Sequence, residues 1–265
     1  MTIGLVPLES GGYSPPGTHD FEFGSIWPGV FPDWVNKPLV QALIAFALVA
    51  LVWYLASRKL KVQPTKRQFA FEYLYEFVRN GIARDILQSE YRRFLPYLLA
   101  LFFFLLINNW FGQFFLFMFP TFSNIGYAYA FAIMSWFVYV GAGVAKFGFG
   151  RFMKQSLIPE GVPGYLLPIV IPLEFLATFI TRPVTLALRL FANLFAGHLV
   201  VLVFIVGGGF LVTYQDNLFY NFAGGASFIF GLIVMLLELF LGALQAYIFT
   251  VLTAQYVSTS IAEAH

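Results

Sequence analysis

The sequence predicts an all-α membrane protein with five transmembrane helices and one amphipathic surface helix, the last two spans long and strongly tilted. Three observations carry that prediction. The 265 residues are 60% hydrophobic and only 11% charged, a composition that places the long apolar runs in a bilayer. The apolar runs are either about the length of one span or about twice it. The basic residues are not scattered: twelve of the fifteen Lys/Arg fall in two loops on one predicted side.

Residues 1–37 are rich in Gly and Pro, with scattered acids at Glu9, Asp20, Glu22 and Asp33. They read as an irregular segment on the outer side, with Trp27 and Trp34 suited to an interfacial aromatic belt. Met1–Ser10 lacks a basic region followed by an apolar core, so no cleaved signal peptide is expected. Residues 38–57 form an uncharged apolar run long enough to span. Between 58 and 95 lie Arg58, Lys59, Lys61, Lys66, Arg67, Arg79, Arg84, Arg92 and Arg93, interleaved with Phe69, Phe71, Tyr73, Leu74, Phe77, Val78 and Ile82. That mixture predicts a surface helix over about 66–90, and its basic excess puts this loop in the cytoplasm.

Residues 96–119 are expected to return across the membrane, interrupted by Asn108, Asn109 and Gln113, and 127–149 to span inward again. Lys146, Arg151 and Lys154 mark a second cytoplasmic loop. Two segments of roughly 40 residues follow, 165–206 and 220–258. Each is ~60 Å long as continuous helix, against a hydrocarbon core of ~30 Å. Neither has a basic or turn-rich break at its centre, so each reads as one steeply tilted helix that needs a protein partner to lie against. Gly207-Gly208-Gly209 and Tyr214-Gln215-Asp216-Asn217 are expected to form the outer turn between them. The C-terminus then lies in the cytoplasm. There is no convincing internal repeat, which disfavours an inverted-repeat transporter.

The residues that stand out chemically are the polar ones inside these two helices. Arg189 sits in the middle of an apolar stretch. An arginine at bilayer depth costs at least ~2.5–3.5 kcal/mol and stays charged. Thr185, Arg189 and Asn193, spaced by four, share one helical face. His198, nine residues beyond Arg189, faces a different direction. Glu238 and Gln245, seven apart, share a face of the second helix. In an antiparallel pair, facing residues have a nearly constant index sum. His198 with Glu238 gives 436 and Arg189 with Gln245 gives 434, so each pair is expected at one depth, with Arg189 and Gln245 about two turns nearer the cytoplasm. Histidine titrates near neutral pH and burial raises a carboxyl toward that range, so a His–Glu pair suits proton handling. Without cysteine there are no disulfides and no thiolate metal sites. No metal, cofactor or nucleic acid is implied.

Residues 182–198, Arg-Pro-Val-Thr-Leu-Ala-Leu-Arg-Leu-Phe-Ala-Asn-Leu-Phe-Ala-Gly-His, closely resemble a signature of the a-subunit family of bacterial F-type ATP synthases. Leu244–Leu252 resembles a second signature, and Leu106-Ile107-Asn108-Asn109 and the helix order extend the likeness over most of 38–265. The resemblance implies a non-catalytic proton-channel subunit in the bacterial plasma membrane, working with a ring of c subunits and b-type peripheral stalk subunits that belong to the whole ATP synthase. It makes Arg189 the essential arginine facing the c ring, with Asn193 and Gln245 the polar residues beside it. His198 and Glu238 match the outer half-channel, joined by Asn108, Asn109 and Gln113, while Glu174 is similar to the acid before the Arg-Pro motif and marks the cytoplasmic path. Two competing readings are an ion-coupled secondary transporter, which also uses buried charge but is disfavoured by the lack of repeats and of broken helices, and a scaffold subunit, which gains nothing from clustered Arg, His and Glu.

Overall fold

The computed structural model describes residues 15–21, 24–25, 32, 34–58, 61–114, 120–158, 163–214 and 218–262. The expected loop positions at 215–217, the helix end at 115–119, Trp27 and most of the irregular first segment lie outside them. Among the described residues the only extended pairing is a single bridge between Ser25 and Asn36; the remaining regular structure is helical. Five helices are long and apolar enough to cross a membrane.

Helix α1 (Lys37–Ser57) starts where the Asn36 side chain accepts from the Leu39 N–H and Pro38 occupies the first turn, an arrangement that meets the orphan donors of a helix start. Most of its length is exposed on the outside of the bundle, as lipid contact requires. Helix α2 (Lys66–Val78) is capped by Thr65 and presents Phe69, Tyr73 and Phe77 on its surface. Gln68 staples the preceding link by donating to the Lys61 carbonyl and accepting from the Lys61 N–H. A π-helical stretch, Arg79–Arg84, buries Ile82 and Ala83 and leads, past the positive φ of Gln88, into α3 (Tyr91–Phe111). The surface helix therefore ends about where the sequence indicated, but with a change of winding.

Helix α3 corrects the expected 96–119 span at its start. Pro96 lies inside the helix, not at its first turn. The helix also stops at Phe111, because Gly112 and Gln113 turn the chain and a side chain on Gly112 would meet Pro120 at 2.8 Å. Helix α4 (Ile125–Phe147) is capped by Asn124 and ends at Gly148, whose φ of +80° is the left-handed conformation that glycine adopts freely. Helix α5 (Phe149–Leu157) follows.

The chain is then continuously helical from Gly164 to Thr213, 50 residues in all. Helix α6 (Leu167–Phe175) passes through a π stretch, Leu176–Thr181, into α7 (Arg182–Tyr214). Pro183 has no N–H to give back to the preceding turn, and side chains meet the loosened carbonyls instead. The Tyr139 hydroxyl donates to Thr178 O at 2.9 Å and the Thr185 hydroxyl to Thr181 O at 2.7 Å. Helix α8 (Leu218–Ile261) holds 44 residues, ~66 Å of helix, with Glu238 its single charged side chain. So uncharged a rod, more than twice the hydrocarbon thickness, fits a bilayer only obliquely.

Gly207–Gly209 are helical, which overturns their expected place in the outer turn. Their role is close approach. A Cβ on Gly208 would lie 3.1 Å from Gly224 O, and one on Gly224 would lie 2.6 Å from Val212 Cγ2 and 2.8 Å from Gly208 O. The Ser227 hydroxyl donates across the seam to Phe204 O at 2.7 Å. Small residues at a helix crossing are the membrane route to tight packing, and α7 with α8 forms the largest interface in the molecule. Helix α4 packs against both, α3 against α8, and α1 against α3.

One end of the bundle gathers the basic loops. There Lys146 Nζ donates to Ile261 O, Gln155 to Ala262 O and Ser258 to Ile86 O, so cations and amides meet the last carbonyls of α8 as a helix C-terminus favours. This basic end and its opposite give the molecule its polarity.

Gly224→Leu is expected to destabilise the α7–α8 pair by about 1–3 kcal/mol, because Gly208 O, 2.8 Å from an added Cβ, is backbone and cannot yield as a side chain can. Gly225→Ala, whose Cβ meets nothing within 4 Å, stays within about 1 kcal/mol of wild type. Reversible unfolding in mixed detergent micelles measures both.

Candidate functional site

The register of α7 and α8 positions every polar group between them. Gly197 with Glu238, Gly208 with Ser227, Gly224 with Val212 and Gly231 with Phe204 are close neighbours, and each pair has an index sum of 435 or 436. These sums lie within one residue of those read from the sequence. His198 and Glu238 therefore lie at one level, and Gln245 lies level with Arg189.

Glu238 is 2% exposed and His198 4%. The carboxylate lies over Gly197, where an added Cβ would sit 2.9 Å from Oε1; only the missing side chain at 197 leaves it room beside His198. Gln113 lies against the same carboxylate. Neither oxygen of Glu238, nor Gln113 Nε2, has a protein hydrogen-bond partner among the described residues. Buried polar atoms are normally satisfied, so this cluster has spare capacity to take a proton or a water molecule.

Helix α3 holds the cluster in place. Asn109 Nδ2 donates to Gly242 O at 2.8 Å, and Trp110 Nε1 donates to Leu239 O at 3.1 Å. These two bonds clamp the end of α3 to the turn of α8 that follows Glu238. Asn108 is turned the other way: its amide donates to Phe104 O, and its oxygen accepts from the Thr121 hydroxyl at 3.0 Å, which ties α3 to the link before α4. Of the three amides singled out in the sequence, Gln113 and Asn109 thus join the Glu238 region and Asn108 braces the fold beside it.

Arg189 stands apart. It lies on an exposed stripe of α7 with Thr185, Leu188, Ala192 and Ala196, residues that recur every three or four positions and are mostly small. Among the described residues it makes no ion pair or hydrogen bond. Asn193, one turn on, is half-buried, and Gln245 is buried within the bundle. Arg189 is ~14 Å along the helix from His198.

A second polar site opens at the basic end. A cavity of about 260 Å³ is lined by Gln155, Ser156, Glu174, Thr178, Arg182, Thr259 and Ser260. Arg182 reaches across it, 3.5 Å from the Thr259 hydroxyl and over the Tyr256 ring. Sequence reasoning found Glu174 and noted Arg182. It missed the hydroxyls and the α5 residues, which are unremarkable until α5, α6 and the end of α8 converge. Gly197 could have been found, since a small residue beside a buried histidine is a sign of close approach.

The chain matches a family described as ATP synthase A chain over residues 39–258. It is 40% identical to the ATP synthase subunit a of Nocardioides sp., over 97% of this chain and 96% of that protein. The ATP synthase subunit a of Pseudarthrobacter chlorophenolicus is 38% identical over the whole of both chains, and that of Frankia alni is 35% identical over 99% of this chain and 91% of its own.

Gly197→Ala is expected to cost about 1–3 kcal/mol by overpacking, and most of that cost should vanish in a Glu238→Ala background, where the methyl fills the space the carboxylate left. A double-mutant cycle in micelle unfolding measures it; strictly additive costs would contradict the contact.

Proposed function

The chain belongs to the ATP synthase A chain family, the a subunits of the F-type enzyme, and from that premise we propose how its polar sites carry protons. The protein is the proton-translocating stator subunit of that enzyme; the reading as an ion-coupled transporter is not favoured. The one observation that supports the mechanism best is the separation of two polar sites along the α7–α8 pair, one near its middle and one at its basic end, with the exposed Arg189 at a level between them.

In this mechanism the basic end faces the cytoplasm, as the excess of Lys and Arg there favours, so the C-terminus is cytoplasmic and the first segment lies outside. The chain resides in the bacterial plasma membrane, and b-type peripheral stalk subunits hold it against rotation. A proton enters from outside to the cluster of His198, Glu238 and Gln113, with Asn109 bracing the passage and Asn108 supporting it. From there it passes to a carboxylate on the adjacent c ring, which docks on the Arg189 stripe. Small residues on that stripe let the ring's helices pass closely. The neutral carboxyl can leave into lipid, since the charge that made lipid costly is gone. On its return it releases the proton to the cavity around Glu174 and Arg182, which opens to the cytoplasm.

Arg189 prevents a short circuit. Its guanidinium stays protonated at any working pH, so it neither accepts nor relays a proton, and it favours the ionised form of any carboxylate that reaches it. Asn193 and Gln245, at neighbouring levels, contribute dipoles without charge. The chain contains no phosphate-binding loop, and ATP chemistry resides in partner subunits.

Arg189→Ala should abolish proton-driven ATP synthesis in reconstituted vesicles while the complex still assembles. Arg189→Lys should lower it by roughly tenfold or more, because a buried lysine can give up its proton. Full synthesis in either variant would overturn the assignment.

A further inference from the structure

The described part of the first segment is seated on the outer half of α7. Thr18–Phe21 forms one 3-10 turn, closed by the Gly17 N–H donating to Asp20 Oδ2 at 2.8 Å. Farther along, Ser25 pairs with Asn36, and Asn36 in turn caps α1 and accepts the Tyr127 hydroxyl at 2.7 Å. Phe21 is 5% exposed. Its ring centroid is 4.6 Å from that of Phe195 and 6.0 Å from that of His198, standing at 79° to the imidazole. Phe195 is itself stacked on Phe191. An aromatic row thus runs along α7 and ends on a residue that the segment, not the bundle, supplies.

We propose that Phe21 is a positioning residue of the outer proton path, holding the His198 ring in one orientation and covering it where the two rings meet. The inference rests on the reading of His198 as part of that path. An edge-on ring pair has a preferred geometry and contributes about 0.5–1.5 kcal/mol beyond simple burial, enough to select one imidazole rotamer over others. A fixed imidazole presents one nitrogen consistently, and which nitrogen faces the donor decides whether a proton can pass. The cover also keeps bulk water from reaching the ring through the segment, so protons arrive along the polar route. The titratable neighbours among the described residues are Glu238 on α8, lying over Gly197, and Asp20, the residue before Phe21; α3 contributes the uncharged Gln113. The row of aromatic residues is therefore part of the channel's wall, and the first segment is part of the channel.

The test is passive proton conductance through the reconstituted membrane sector, complete with its c ring, as a function of outer pH. Phe21→Ala is expected to lower the conductance several-fold and to move the midpoint of its pH profile by roughly half a unit. Phe21→Leu, which keeps the bulk and loses the ring, should move the midpoint in the same direction, and Phe21→Tyr should restore it. Added to His198→Ala, Phe21→Ala should change nothing further. A midpoint that stays fixed in both Phe21→Ala and Phe21→Leu, with conductance falling only in proportion to assembled complex, would overturn the proposal. Wild-type conductance in His198→Ala alone would instead overturn the path reading on which it stands.

Discussion

The close antiparallel contact of α7 and α8 governs this molecule. Without an attraction between apolar helices in an apolar solvent, association depends on how near the backbones can come and on the polar atoms they share. Gly208, Gly224 and Gly231 remove the side chains that would hold the helices apart, and Ser227 adds one bond across the seam. Once that contact is made at one place, the helical rise sets the level of everything else. Glu238 reaches Gly197 because Gly224 reaches Gly208, roughly three turns away along α7 and four along α8.

The other helices act mainly to make the polar content tolerable. A buried amide or hydroxyl in a bilayer needs a partner, and α3 and α4 supply partners of one kind: they bond to backbone carbonyls of the long pair. Asn109 and Trp110 do so at Gly242 and Leu239, and Tyr139 does so at Thr178. Each of these bonds is made to a backbone carbonyl, an acceptor with two lone pairs. Such bonds fix α3 and α4 to α7 and α8 without filling the space around Glu238, where hydrogen-bonding capacity remains open. Satisfaction of the frame and spare capacity at the site are two outcomes of one arrangement.

Much of this was legible in the sequence, for a physical reason. Lipid imposes a simple code of apolar length and basic flanks, so five spans and the basic end could be read directly. The index sums of His198 with Glu238 and Arg189 with Gln245 anticipated the register, because antiparallel helices joined by a short link have little freedom of level. The failures came where a residue has two uses. Gly207–Gly209 read as a turn because glycine bends chains, yet in a membrane it also lets helices touch. The span expected from residue 96 begins earlier, at Tyr91, and α3 runs through Pro96. Of the cavity around Glu174 only that acid could be read: Gln155, Thr178 and Ser260 come from three distant stretches, and no periodicity links them.

Arg189 makes the chain incomplete by itself. Glu238 and His198 are buried within this chain, and Glu174 and Arg182 line a cavity of it, whereas Arg189 lies on the surface stripe. A guanidinium facing hydrocarbon carries a cost of several kcal/mol unless it snorkels to the interface or finds a counter-charge. Snorkelling is the weaker remedy here, since Arg189 lies six residues beyond Pro183, ~9 Å along the helix, and nine residues before His198. No carboxylate of the described chain approaches it. On the proposed reading the counter-charge comes from outside, on a surface able to pass close to Ala192 and Ala196. On the proposed reading that charge arrives one carboxylate at a time, and the unpaired arginine is the resting half of an ion pair that the rotor makes and breaks.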